Sequence, residues 1–281
     1  MKLQTLTTHG KWILTGEHSV ILGNPAIVFP IPEMTLCLNW KIHPTFKIAG
    51  NLSDDLMNKS LKIFTQPYTS SLNYYLHFDN SIPISKGLGF SGALSAILSQ
   101  WASSLNWINK NQIFTVAKTF ENYFHSQSSG LDIIGAMSKN GQIFHQGNTQ
   151  TLPQSFFHLY LSYTGQKSKT STCVKQVMSM RNNNLLIDSI MQESVHLGSY
   201  AFQKNNYEDL KKCIELGYEC FNRWNLIDQS TQNHIDELES LGAAACKPTG
   251  SGLGGYVLSL WEHTPEQKSI PLIPALPSPL G

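Results

Sequence analysis

The stretch Pro83-Ile84-Ser85-Lys86-Gly87-Leu88-Gly89-Phe90-Ser91-Gly92-Ala93 constrains this chain more than any other. Its three glycines and two serines run straight into Ala93, Leu94, Ile97, Leu98, Trp101, Ala102 and Leu105, a spacing that predicts an amphipathic helix. A backbone stripped of bulky side chains and aimed at a helix N-terminus leaves unpaired N–H groups that suit an anion, above all a phosphate. A plain glycine turn at a helix start is the competing reading, and the bulk of Phe90 favours it slightly.

The string fits G-x-G-x-x-G, but a dinucleotide site also wants an acidic residue about 20 positions further on. No Asp or Glu occurs between Asp79 and Glu121, so that reading fails. The V-A-I-K, H-R-D and D-F-G strings of protein kinases are absent, as is a Walker A loop. With only two arginines, Arg181 and Arg223, a phosphate clamp must rely on lysine and backbone amides.

Two further segments keep this loop company. Lys247-Pro248-Thr249-Gly250-Ser251-Gly252-Leu253-Gly254-Gly255 precedes a short apolar strand, Tyr256–Trp261. Its glycines suit close backbone approach to a ligand or to the first loop, where a surface hairpin seldom needs so many. Near the N-terminus, Trp12, Ile13 and Leu14 predict a strand ended by the turn Gly16-Glu17-His18. Taken singly, Lys11, Glu17 and His18 are ordinary, and a lone histidine is more often structural than functional.

The remaining pattern is mixed. Thr35–Ile42 alternates, with Leu36, Leu38, Trp40 and Ile42 on one face of a half-buried strand, and Phe156–Tyr163 predicts another. Ile113, Val116, Ala117, Phe120 and Phe124 form a second helical stripe, followed by the small-residue loop Ser126–Gly130. Helices are expected near 171–180, 184–203, 206–223 and 228–241, and Pro271, Pro274, Pro277 and Pro279 predict an extended or frayed tail. The fold class expected is α+β with a joint near residue 150. A net charge of +1 gives no electrostatic footprint for nucleic acid or an anionic membrane. Five scattered cysteines without C-x-x-C, no signal-peptide core and no transmembrane-length run predict a soluble cytoplasmic protein.

In order along the chain, Gly-Lys-x-Ile-Leu-x-Gly-Glu-His-x-Val-x-x-Gly-x-Pro-Ala from Gly10, Pro-Ile-x-x-Gly-Leu-Gly-x-Ser-x-Ala from Pro83 and Lys-x-Thr-Gly-x-Gly-x-Gly-Gly from Lys247 resemble the three motifs of the GHMP small-molecule kinases. The resemblance implies a two-domain fold, residues 1–150 as a ribosomal-protein-like βαβ domain and 151–281 as a ferredoxin-like domain, with the active site in the cleft between. It implies ATP as co-substrate and Mg2+ as the metal. Carried over by position, Asp132 in Ser128-Ser129-Gly130-Leu131-Asp132 matches the catalytic base and Lys11 the lysine beside the acceptor hydroxyl. Lys86, Gly87, Leu88, Gly89, Phe90, Ser91 and Gly92 match the nucleotide-phosphate loop. Ser91 and Glu121 match the metal ligands, and Glu17, His18, Gly250, Ser251 and Gly252 fall on the acceptor side. Without the spacing to Asp132, Glu121 reads as a solvated helix charge, and Asp132 itself as a helix N-cap.

Ser19-Val20 and Gly23-x-Pro25-Ala26 point to the branch of the family that phosphorylates the primary hydroxyl of mevalonate. The alternatives are phosphomevalonate or another acceptor of the family, and a catalytically idle homologue that senses nucleotide or isoprenoid. The lysine-bearing loop Tyr163–Thr170 either meets a substrate phosphate or is a solvated connector. A homodimer is left open. The pattern departs from the family at Phe90, at Ser128, where a proline is usual, and at Leu253, none of which removes a group that does chemistry.

Overall fold

The computed structural model describes residues 3–69, 72–124, 128–168, 170–180, 185–266 and 269–277. Ser126, Arg181 and Pro279, named above, lie outside these residues, as do Gln127 and Lys169 within the ranges Ser126–Gly130 and Tyr163–Thr170. Strand β1 (Gln4–Thr15) runs antiparallel to β2 (Ala26–Ile42), and together they form the spine of the first sheet. Every residue from Lys11 to Thr15 is buried, so here β1 is covered on both faces and its apolar run is continuous instead of alternating. Pro30 and Pro32 are tolerated because they fall where β2 has left one neighbour and not yet met the next.

Around this spine, β3 (Lys47–Gly50), helix α1 (Asp54–Thr65) and β4 (Tyr74–Asn80) make a parallel β-α-β unit. Ser53 starts α1 by accepting the Leu56 N–H, and Asp54 and Asp55 in the first turn favour the helix dipole. Helices α2 (Phe90–Ser104), α3 (Ile113–Glu121) and α4 (Leu131–Met137) follow, then the hairpin β5 (Gln142–His145) and β6 (Asn148–Thr151). The strand order is β3-β4-β2-β5-β6, with β1 on β2.

The second sheet has order β10-β7-β9-β8 and is antiparallel throughout. It comprises β7 (His158–Tyr163), β8 (Ala245–Thr249), β9 (Tyr256–Trp261) and β10 (Ile273–Pro274). Helices α5 (Thr170–Met180), α6 (Leu185–Lys204), α7 (Tyr207–Arg223) and α8 (Gln229–Ser240) lie between β7 and β8 in the chain. One hydrophobic cluster joins the two sheets, from Trp12 and Phe29 through Phe202 to Leu258 and Ala275.

Two expectations need correction. Ile42 leaves the buried face of its strand and is 53% exposed, because β2 ends there. Phe124 falls beyond the end of α3 and stands half out of the core. Of the two readings of the proline-rich tail, the extended one holds up to residue 277. Its β10 pairs with the edge of β7, Ala275 and Leu276 are buried, and Ala275 N–H donates to Leu159 O at 2.8 Å. An edge strand can contain proline, so the tail's composition and its place at the edge of the sheet agree.

The tail also completes the core chemically. Trp12 is fully buried, stacks on Phe29 with ring centres 4.6 Å apart, and gives its indole N–H to Ala275 O at 2.7 Å. Trp12→Phe keeps an aromatic ring but orphans that carbonyl. It should cost about 1–3 kcal/mol in urea unfolding without changing the m-value.

Candidate active site

Lys11 leaves β1 with its backbone N–H on Leu88 O at 2.9 Å, which staples the glycine loop to the strand. The side chain is 4% exposed, so its ammonium must find acceptors inside the protein. It reaches Asp132 Oδ1 at 3.1 Å and donates to Gly87 O at 3.3 Å. Its stem runs through a slot between two glycines. A Cβ on Gly89 would stand 2.5 Å from Lys11 Cγ, and one on Gly135 2.8 Å from Lys11 Cβ. Gly89 also needs its φ of +79°, the left-handed conformation from which α2 starts.

Two helix N-termini converge here. The first turn of an α-helix lies outside its i→i−4 hydrogen-bond ladder, and its N–H groups suit an anion. Phe90 does not obstruct that of α2, since its ring turns into the core and is 9% exposed. Helix α4 begins at Gly130, also left-handed, and a Cβ on Gly92 would come within 2.8 Å of Asp132 Cβ. Asp132 stands in the first turn of α4 and remains 29% exposed, while Ser91 is half-buried.

Glu121, the last residue of α3, is 2% exposed and accepts a hydrogen bond from Ser128 Oγ. Burial, reinforced by the negative charge of Asp132, pushes its carboxyl up to about 7. Two carboxylates that repel each other in a half-closed corner, with a hydroxyl to hand, form a hard oxygen donor set that fits a divalent cation such as Mg2+. Among the described residues no cluster of three or more His, Cys, Asp or Glu is placed to cage a metal. Such a cation would therefore draw much of its shell from water and phosphate.

The acceptor-side residues sit apart from this corner. Glu17 is buried and paired with Lys247, its Oε1 2.6 Å from the lysine Nζ, and burial raises its carboxyl despite that partner. His18 places Nε2 3.0 Å from Ser251 O and meets Trp224 edge-on. Burial lowers the imidazole to about 4, so at neutral pH the ring is uncharged. Gly250, Ser251 and Gly252 belong to the hairpin between β8 and β9, whose backbone faces the first loop. A Cβ on Gly250 would lie 3.7 Å from Gly87 O, and one on Gly255 3.6 Å from Lys86 O. The loop after β7 is pinned to the same hairpin, with Ser168 Oγ 2.6 Å from Ser251 Oγ and Gly255 N–H on Gln166 O. Lys86 does not turn into the loop interior; its ammonium lies 4.5 Å from the centre of the Tyr163 ring.

The structure thus brings Lys11, Gly87, Leu88, Gly89, Gly92, Glu121 and Asp132 to one corner. It holds Glu17, His18, Gly250, Ser251 and Gly252 together in a second group, touching the first at Gly87. Sequence reasoning missed Lys247, Gly135 and Gly217 as parts of this frame. The signal for Gly217 was its place inside a predicted helix, where glycine is unfavourable unless something must come close.

The GHMP kinases N terminal domain matches residues 55–140. Over that stretch, from α1 to just past α4, the chain is similar to a GHMP kinase N-terminal domain. Its two-sheet architecture is the GHMP kinase fold. The mevalonate kinase of Archaeoglobus fulgidus is 25% identical over 264 residues, covering 90% of each chain. The crystal structure of L. major mevalonate kinase in complex with R-mevalonate superposes with a TM-score of 0.76 at 19% identity, over 98% of this chain and 97% of that one. The phosphomevalonate kinase of Streptococcus pneumoniae gives 0.75 at 14% identity over 93% of each, so the GHMP kinase fold by itself does not choose an acceptor. No helix among the described residues is long and apolar enough to cross a membrane.

Glu121 makes stability depend on pH. Its carboxyl titrates near 4.5 when unfolded and near 7 when native. Between those values the native state keeps a proton that the unfolded state has released, so this contribution falls as pH rises and is gone above 7. Glu121→Gln removes the titration. In the absence of nucleotide and divalent cation, its stability relative to the parent should improve by about 2–3 kcal/mol from pH 4.5 to pH 8. The depressed His18 acts in the opposite direction but is common to both proteins, and paired urea titrations cancel it.

Proposed function

We propose that the protein transfers the γ-phosphoryl group of ATP to the primary hydroxyl of mevalonate. The observation that carries this reading is the Lys11–Asp132 pair at 3.1 Å, set where the N-termini of α2 and α4 meet. The order of the three motifs and the similarity to mevalonate kinases over 90% of the chain support the choice of acceptor.

Phosphoryl transfer asks for positioning and charge neutralisation more than for covalent chemistry. The N–H groups at the start of α2, with Gly87 and Gly89 keeping side chains out of the way, hold the phosphates. Ser91 and Glu121 would hold the Mg2+ that accompanies ATP, which supplies positive charge against the phosphate oxygens. Asp132 accepts the proton of the acceptor hydroxyl as its oxygen bonds to the γ-phosphorus. The bond from that phosphorus to the bridging oxygen breaks and ADP leaves. Lys11 stabilises the developing negative charge on the attacking oxygen while its contact with Asp132 keeps base and nucleophile in register.

A second reading, phosphomevalonate as acceptor, draws on Lys167, exposed on the loop that is pinned to the glycine hairpin. Measuring ADP release with mevalonate, with phosphomevalonate and with neither decides between them. Turnover with mevalonate is expected, and turnover with phosphomevalonate alone would overturn this choice. Should neither acceptor release ADP, an idle nucleotide-binding homologue becomes the better description.

The assignment of the base has its own test. Asp132→Asn should lower kcat by ~10²–10⁴, the usual worth of a positioned general base, while ATP affinity by equilibrium binding stays within a few-fold. An Asn variant that retains most of its turnover would remove Asp132 from the chemistry.

A further inference from the structure

Lys247 is fully buried in the strand that leads into the 250–255 hairpin, and no step above uses it. Its ammonium reaches Glu17 only because position 217 of α7 is glycine, where a Cβ would stand 2.8 Å from both Lys247 Cδ and Cε. The same ammonium lies 5.1 Å from the centre of the Phe221 ring, against which His18 also packs. A buried ion pair is weak grounds for stability, because desolvation offsets much of the attraction. A lysine threaded past a helix to meet one glutamate asks for a geometric role.

The segment it holds is strained. Gly16 has φ +97°, and a Cβ there would fall 2.4 Å from Ala26 Cα. His18 adopts φ 61° without being glycine. Such a residue persists only where its surroundings over-determine it. Two contacts do so: Glu17 with Lys247, and His18 Nε2 with Ser251 O. Since Ser251 O is a carbonyl, Nε2 must carry the hydrogen, which leaves a lone pair on Nδ1. Ser251 is the only hydrogen-bond partner of the His18 ring among the described residues, so Nδ1 is available to a donor. The neighbouring Gly250 backs onto Gly87 O, which itself accepts from Lys11 Nζ, and this sets the His18 turn beside the catalytic pair.

We propose that Lys247 is a positioning residue for acceptor recognition. Acting through Glu17, it fixes the Gly16–His18 turn so that His18 Nδ1 meets a hydroxyl of the acceptor. The acceptor half of this inference rests on the kinase reading above, whereas the positioning of the His18 ring does not.

Lys247→Met and the double variant Glu17→Met, Lys247→Met test it together. The double variant leaves no unpaired buried charge, so it should fold with a melting temperature near that of the parent even if the single variant does not. In both, the acceptor KM should rise at least tenfold while the ATP KM stays within twofold. A merely structural pair would instead have its acceptor KM restored along with stability, and a folded double variant with the parental acceptor KM overturns the proposal. Imidazole 15N shifts give a readout free of any acceptor. The parent should show His18 as the Nε2–H tautomer, and the double variant a mixture of tautomers. If the parent phosphorylates no acceptor, the kinase reading fails, and the tautomer comparison still decides the positioning. An unchanged His18 in the double variant sinks it.

Discussion

The buried ammonium of Lys11 is the constraint on which the rest of the site depends. A lysine that is 4% exposed must be satisfied by fixed acceptors, and the two it finds belong to different elements, a carboxylate on α4 and a carbonyl of the glycine loop. Its backbone N–H takes a third acceptor, Leu88 O of the same loop. Strand, loop and helix are therefore cross-linked by one residue. Gly89 and Gly135 exist to let its stem through, so part of what looks like a ligand-binding glycine pattern is accommodation of a side chain already in the protein.

The same logic recurs on the other side of the cleft with a different lysine. Lys247 passes the helix α7 at Gly217 as Lys11 passes α4 at Gly135, and each ends on an acidic residue. The environments differ in one decisive respect. Asp132 keeps 29% of its surface and can meet a substrate, whereas the Glu17–Lys247 pair is sealed. Exposure, more than residue type, separates the group suited to moving a proton from the group suited to holding a backbone.

Much of the corner was legible in the sequence because its parts are local. The helix after Gly89 shows a 3.6-residue period, and Glu121 and Asp132 sit on neighbouring short helices joined by one loop. Phe90 misled as a loop residue because periodicity alone does not say which way the first side chain of a helix turns. The first half of β1, Gln4–His9, was missed because its threonines carry little apolar alternation, and its place is set by register with Trp40 to Thr35 far along β2. Glu17 and Lys247 are separated by 230 positions, so no window of sequence could pair them. Lys86 reads as a phosphate ligand by position, yet an aromatic face across the cleft holds its charge.

The hydrogen bond from the Trp12 indole to Ala275 O spans 263 positions and closes the core that both sheets share. During synthesis β1 and β2 emerge together, while the carbonyl that Trp12 needs follows 263 positions behind it. Until then Trp12 has a buried ring with an unsatisfied donor, and β7 presents an unpaired edge where β10 will dock. A ribosome-bound chain of this protein is thus committed to waiting, with its glycine loop already made and its interior still open at one seam.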